Sequence, residues 1–212
     1  RSRSVSWKTC RQIDNMVKNE LNMDSPRVVE LVEGGFGLVK NEILACKACA
    51  LHETVTNKVI GKGSDDPRVV FIGEAPGKNE DETGIPFCGR AGKNLDGMIQ
   101  YMGLSENDYA VINTIKCRPP KNRNPLKSEI NACKAFLLAQ IRLLDPKVII
   151  LLGNTAEKAF CNGKTLEWGI PENSEETGIA VLKIYHPAAL IYKRSRIDEQ
   201  NELIDKNRHL WE

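Results

Sequence analysis

The chain has 212 residues, of which 27% are charged, and its formal net charge is only +2. That length supports one domain with a full core and a short appendage, and the charge balance confines any anion-binding surface to local patches. No apolar run reaches membrane length or reads as a secretory signal, and seven cysteines is an odd number, so a secreted disulfide scaffold is excluded and a reducing, intracellular setting is expected.

Residues 1–36 read as an N-terminal helical extension, and 37–212 as the main domain. Trp7, Cys10, Ile13, Val17 and Leu21 recur at helical spacing. Asp24-Ser25-Pro26 marks a break and a new helix start. Gly34-Gly35-Phe36-Gly37 reads as a linker. The extension is expected to pack as a helical hairpin, and it offers an arm for a protein partner. The chain opens without a methionine, which fits a processed or trimmed end.

Four short β-branched runs follow: Val69–Ile72, Ala110–Ile112, Val148–Leu152 and Ile179–Ile184. Such runs are typical of strands buried on both faces. Between them, Gly92–Met102, Ser128–Leu144 and Thr155–Phe160 carry apolar residues at helical spacing, with Ser128 as an N-cap candidate. Strands alternating with helices predict a three-layer α/β/α sandwich around a central four-stranded parallel sheet. Residues 162–176 are acidic and give no clear element.

The loops leaving the strands carry the unusual residues. The first strand exits into Gly73-Glu74-Ala75-Pro76-Gly77, the second into Asn113 and a basic run, and the fourth into Tyr185-His186-Pro187. In an open parallel sheet, ligand sites form beyond the carboxyl ends of the strands. His186, Asn113 and the backbone N–H groups of residues 73–77 are thus expected around one space. Phe87, flanked by Gly84 and Gly89, is either a stacking platform for a base or a core plug. The 73–77 loop lacks the Gly-Lys-Ser/Thr of a phosphate-binding P-loop, which argues against an NTPase.

Cys46, Cys49, Cys117 and Cys133 are enough for a four-thiolate metal site. Zinc and an iron–sulfur cluster both remain open on chemistry alone. The long spacing between Cys117 and Cys133 is loose for a zinc ribbon and comfortable for a cluster. Cys10, Cys88 and Cys161 read as ordinary cysteines. The segment 116–127 carries Lys116, Arg118, Lys121, Arg123 and Lys127 without an acid, and Lys193, Arg194 and Arg196 form a second patch. Two such patches beside one site point to nucleic-acid phosphates.

Four stretches, in this order and with these cysteines, resemble the family 4, iron–sulfur uracil-DNA glycosylases. They are GEAPGKNED at 73–81, GIPFCGRAGKNLD at 84–96, NTIKCRPPKNRNP at 113–125 and HPAAL at 186–190. The resemblance spans about Leu38 to Arg194. It implies a [4Fe-4S] cluster on Cys46, Cys49, Cys117 and Cys133, and cleavage of the N-glycosidic bond of deoxyuridine in single- or double-stranded DNA after base flipping. By the same resemblance Gly73, Ala75, Phe87, Asn113 and Leu190 contact substrate. Phe87 would stack on uracil, Asn113 read its polar edge and His186 donate to its oxygen. Glu80 would border the C5 side and exclude a thymine methyl, and Leu190 would wedge into the vacated stack.

The family 1 enzymes place an aspartate at the position of Ala75, so Glu74 and Glu80 are the carboxylates left to orient water, and a dissociative mechanism is preferred. Arg118, Lys121, Arg123, Lys193 and Arg194 are the expected DNA contacts. Cys88 stands where relatives often carry valine. The loop after Cys117 lacks the histidine insert of relatives that bond covalently to DNA, so normal turnover is expected. The expected protein is a monomer in the cytoplasm or nucleoid, with no membrane association. The competing readings are a glycosylase for other deaminated bases and a silent nucleic-acid-binding module.

Overall fold

The computed structural model describes residues 23–161, 165–173, 179–192 and 195–212. In chain order these form α1 (Pro26–Glu33), α2 (Gly35–Ala45), β1 (Lys62–Gly63), β2 (Val69–Gly73), α3 (Lys78–Thr83), α4 (Arg90–Tyr101) and β3 (Tyr109–Asn113). There follow α5 (Lys127–Leu144), β4 (Val148–Leu152), α6 (Gly153–Phe160), β5 (Glu172–Asn173), β6 (Ala180–Ile184), α7 (Ala189–Tyr192) and α8 (Ser195–Asn207).

The sheet has six strands in the order β1-β3-β2-β4-β6-β5. The β2–β3, β2–β4 and β4–β6 pairings are parallel. At the two edges β1 and β5 pair antiparallel with β3 and β6. The sheet is therefore mixed and larger than the four strands predicted. The edge strands are two residues long and carry no apolar alternation, so periodicity does not reveal them.

The pleat sends alternate residues to opposite faces. Val70, Ile72, Ala110, Ile112, Ile149, Leu151 and Val181 pack with the apolar sides of α1, α2, α5 and α6. Val69, Phe71, Val111, Val148, Ile150, Leu152 and Leu182 pack with Leu95, Met98 and Ile99 of α4, Ile204 of α8 and Trp211. Every residue of β2, β4 and β6 is buried, as a strand covered on both sides must be. The chain runs from β2 outward to β3, then back across to β4. A crevice therefore opens beside the carboxyl end of β2, where Gly73 pairs with Asn113.

Three local expectations change. Residues 34–37 are not a linker: Gly34 closes α1, accommodating a C-cap, and α2 starts at Gly35, whose φ of 69° needs a glycine. The α1–α2 hairpin packs on α5 through Val28, Leu31, Val39 and Ile43. Helix α5 starts one residue before Ser128, and Glu129 in its first turn accepts the Leu126 N–H at 2.7 Å. Residues 78–83 form a helix where a loop was expected. The helical pattern at Trp7–Leu21 and much of 162–176 lie outside the described residues.

Candidate active site

Beyond the carboxyl ends of the strands lies a cavity of about 330 Å³. Its walls include Glu74, Ala75, Gly77 and Glu80 from the loop after β2, Phe87, Asn113 and His186. Asn113 ends β3 and is 2% exposed, and its Oδ1 has no hydrogen-bond partner. An unsatisfied buried amide oxygen is costly unless a ligand completes it. Gly73 makes the approach possible: a Cβ there would stand 2.7 Å from Phe87 Cζ and collide with Asn113 Oδ1.

Phe87 is buried at 7% exposure and held at φ 51°, a region disfavoured for a residue with a side chain. The strain is fixed from behind, because Gly92 brings the α4 backbone so close to the Phe87 carbonyl that a Cβ would overlap it. The ring thereby faces His186, with centroids 6.0 Å apart and planes inclined by 34°. Phe87 is thus buried and at the same time lines the cavity.

His186 follows β6. The Ala188 N–H donates to its Nδ1 at 3.1 Å, so Nδ1 is the acceptor and the neutral ring carries its proton on Nε2. Burial lowers the His186 pKa below 6.5, in the same direction. The loop is pinned from two helices: Asn94 Nδ2 of α4 donates to the Pro187 carbonyl at 2.9 Å, and Gln200 Oε1 of α8 accepts the Tyr185 N–H at 2.9 Å.

The two carboxylates differ. Burial pushes the Glu74 carboxyl above its usual 4.5, against a hydrogen bond from the Thr155 side chain that lowers it. Glu80 instead accepts the Gly77 N–H at 3.1 Å on one oxygen and the Gly89 N–H at 3.3 Å on the other. It staples the two loops that form one wall of the cavity. Leu190 does not line the cavity. It is 7% exposed and packs with Leu95, Met98 and Ile204; in this conformation it is core, not a projecting wedge.

The basic run is less cationic than its composition suggests. Lys116 is 1% exposed and turned inward. Arg123 reaches the cavity wall, but its guanidinium grips Glu129 with both arms, at 2.6 and 2.9 Å. Arg118 donates to Asn122 Oδ1 at 2.7 Å and stays partly exposed. Lys121 is exposed at the turn, at φ 55°. Lys193 and Arg194 lie outside the described residues.

On the other side of residues 113–117, Cys46, Cys49, Cys117 and Cys133 line one small cavity together with His52, Lys58 and Lys116. Among the described residues no three ligating groups stand at metal-holding geometry as folded here, yet the donor set fits a metal centre. Ala48 N–H approaches Cys46 Sγ at 3.5 Å and the Lys116 N–H donates to Cys133, as amides do around thiolates. Burial, then the neighbouring thiols, push Cys117 up to about 12. A cation bound among the sulfurs reverses that penalty.

A family model of the uracil DNA glycosylase superfamily matches residues 60–210. The chain is 42% identical to a type-4 uracil-DNA glycosylase of Thermotoga maritima over 161 residues, 74% of this chain and 84% of the relative. It is 40% identical to one from Archaeoglobus fulgidus, covering 77% and 86%, and 39% identical to one from Sulfurisphaera tokodaii, covering 73% and 74%. The chain belongs to the type-4 uracil-DNA glycosylases. Some parts of this type-4 site escaped the sequence reading. Thr155 bonds Glu74, and Asn94 and Gln200 hold the residues on either side of His186, only through folding, from helices whose spacing shows packing alone. Pro119 and Asn122 line the cavity from a run that reads by its charges. His52 lines the sulfur cavity and bonds the Cys49 carbonyl at 2.7 Å.

Proposed function

We propose that this protein excises uracil from DNA by hydrolysing its N-glycosidic bond, the opening step of base excision repair. The observation that carries the reading is the buried, unpartnered Oδ1 of Asn113 in a cavity that Asn113, Phe87 and His186 line together. Uracil offers an N3–H donor beside an O4 acceptor, and one carboxamide matches both. A flipped base stacks on the Phe87 ring, as bases do on aromatic platforms. The neutral His186 keeps Nε2–H to donate to O2, where charge grows as the base leaves. Departure as an anion comes first in this reading. Water then meets the sugar cation near Glu74, for which Ala75 leaves room. Glu80, held by two backbone amides, fixes the wall that a thymine methyl meets.

The four cysteines fit a [4Fe-4S] cluster, which when bound supplies a cross-link and no chemistry at the base. Lys121 and Arg118 contact phosphates, joined by Lys193 and Arg194; Arg123 serves mainly to hold Glu129. The enzyme acts inside the cell as a monomer on a parallel β3-β2-β4-β6 core; of the N-terminal extension, α1 packs on α5 and the residues before it are left to a protein partner. No described helix is long and apolar enough to cross a membrane.

The test is base release from oligonucleotides carrying uracil, hypoxanthine or thymine, single-stranded and paired. Release of uracil well above the other two is expected. Release of hypoxanthine alone moves the activity to another deaminated base, and no release of any base leaves a binding module.

A further inference from the structure

Lys116 is a buried cation without a visible anion. It is 1% exposed, and its Nζ donates to the Asn113 carbonyl at 2.6 Å. Among the described residues no carboxylate pairs with it, and the nearest titratable influence on it is Cys133. Lys58 is only half-buried, and its Nζ donates to the carbonyls of Leu44 at 2.8 Å and Cys46 at 2.5 Å, with no carboxylate among its bonds. Both lysines line the cysteine cavity, and no aspartate or glutamate lines it. Burying an ammonium without a counter-charge is strongly unfavourable, so buried charges are paired or face a metal centre.

We propose that Lys116 and Lys58 are the counter-cations of the cysteine-held cluster, and that Lys116 is a positioning residue tying that cluster to Asn113. The proposal rests on the [4Fe-4S] reading given above. A cluster core of charge 2+ on four thiolates carries a net 2−, which two ammonium groups balance. Lys116 is fixed at three atoms. Its N–H goes to Cys133, its carbonyl accepts the Val59 N–H at 2.8 Å, and its Nζ holds the carbonyl of the residue whose amide faces the base cavity. The segment 113–117 thus runs from the base cavity, lined by Asn113, to the sulfur cavity, lined by Lys116 and Cys117, with the ammonium bonded back to the Asn113 carbonyl. Lys58 holds the Cys46 side only, so it should affect the cluster without touching base reading.

The test compares anaerobically prepared wild type with Lys116→Met, Lys58→Met and the exposed control Lys40→Met. Iron content and visible absorbance of the wild type come first; a wild type without iron removes the cluster reading and this inference with it. With iron present, both cavity variants are expected to lose iron to a chelator about tenfold faster, the loss typical of outer-shell partners of a metal site. Their cluster midpoint potentials should fall, because a lost cation disfavours the added electron. Lys40→Met should match wild type. At equal cluster loading, Lys116→Met should lower kcat for uracil release about tenfold or more with KM for DNA little changed, and Lys58→Met should leave both. Lys116→Arg, which keeps the charge, should recover the potential. Wild-type iron retention and potential in both cavity variants overturn the counter-cation assignment. A shifted potential with normal kcat in loaded Lys116→Met overturns the link to Asn113. If Lys116→Met does not fold, Lys58→Met still decides the first claim and Lys116→Arg, by its potential and kcat, the second.

Discussion

Gly73 shows how one missing side chain opens a site. Because a Cβ there collides with Asn113 Oδ1 and the Phe87 ring, Gly73→Ala should retain the melting temperature within a few degrees and abolish most uracil release; activity near wild type would mean that the cavity rearranges freely. His186 sets the acid side of the pH profile. Its folded pKa lies below the ordinary 6.5, so the neutral form, with the stability it brings, is fully present above 6.5 and is lost as pH falls through the lowered value. The kcat profile should stay level down to 6.5 and fall only below it, as protonation breaks the Ala188 N–H contact. A midpoint above 6.5 would contradict this. Leu190 belongs to the core as placed. Leu190→Ala should cost about 2–5 kcal/mol of stability, as buried leucine truncations do, and slow release from paired and unpaired DNA alike. A loss confined to duplex DNA would restore the wedge role that the family resemblance implied.

At the scale of elements, the buried strands were legible because their environment is uniform. Runs such as Val148–Leu152 are apolar throughout, and the structure places that strand at the same residues. Helices α4, α5 and α6 were legible by their apolar faces, with ends shifted by one or two residues. Helix α3 was not, because its sequence KNEDET has no apolar face; it is held by Glu80 at its first turn and Gly84 at its end. The 116–127 loop shows the limit of counting charges. Its lysines and arginines differ in partner, and only folding brings Glu129 to Arg123. Lys121→Glu should therefore flatten the salt dependence of DNA affinity by about one phosphate contact. Arg123→Glu should add little further flattening and lower the melting temperature instead, since it leaves Glu129, 5% exposed, without its partner. Equal effects of the two on the salt slope would return Arg123 to the DNA surface.

Over the whole molecule, two cavities share one strand end. The base cavity and the sulfur cavity lie on either side of residues 113–117, and Asn113, Lys116 and Cys117 connect them. The sequence announced both through motif order, since Asn113 and Cys117 sit four residues apart. It could not announce that Lys116 turns inward, where its ammonium bends back to the carbonyl three residues before it, or that Leu190 is covered by distant residues of α4 and α8. Base recognition then depends on the buried, unpartnered Asn113 amide. Single-turnover release of uracil from an oligonucleotide, measured for wild type and Asn113→Ala at saturating protein, tests it most directly. The expected result is release by the wild type and a loss on the order of 100-fold in the variant, the size associated with one missing transition-state donor, at unchanged DNA affinity. Release by Asn113→Ala at the wild-type rate would contradict the account.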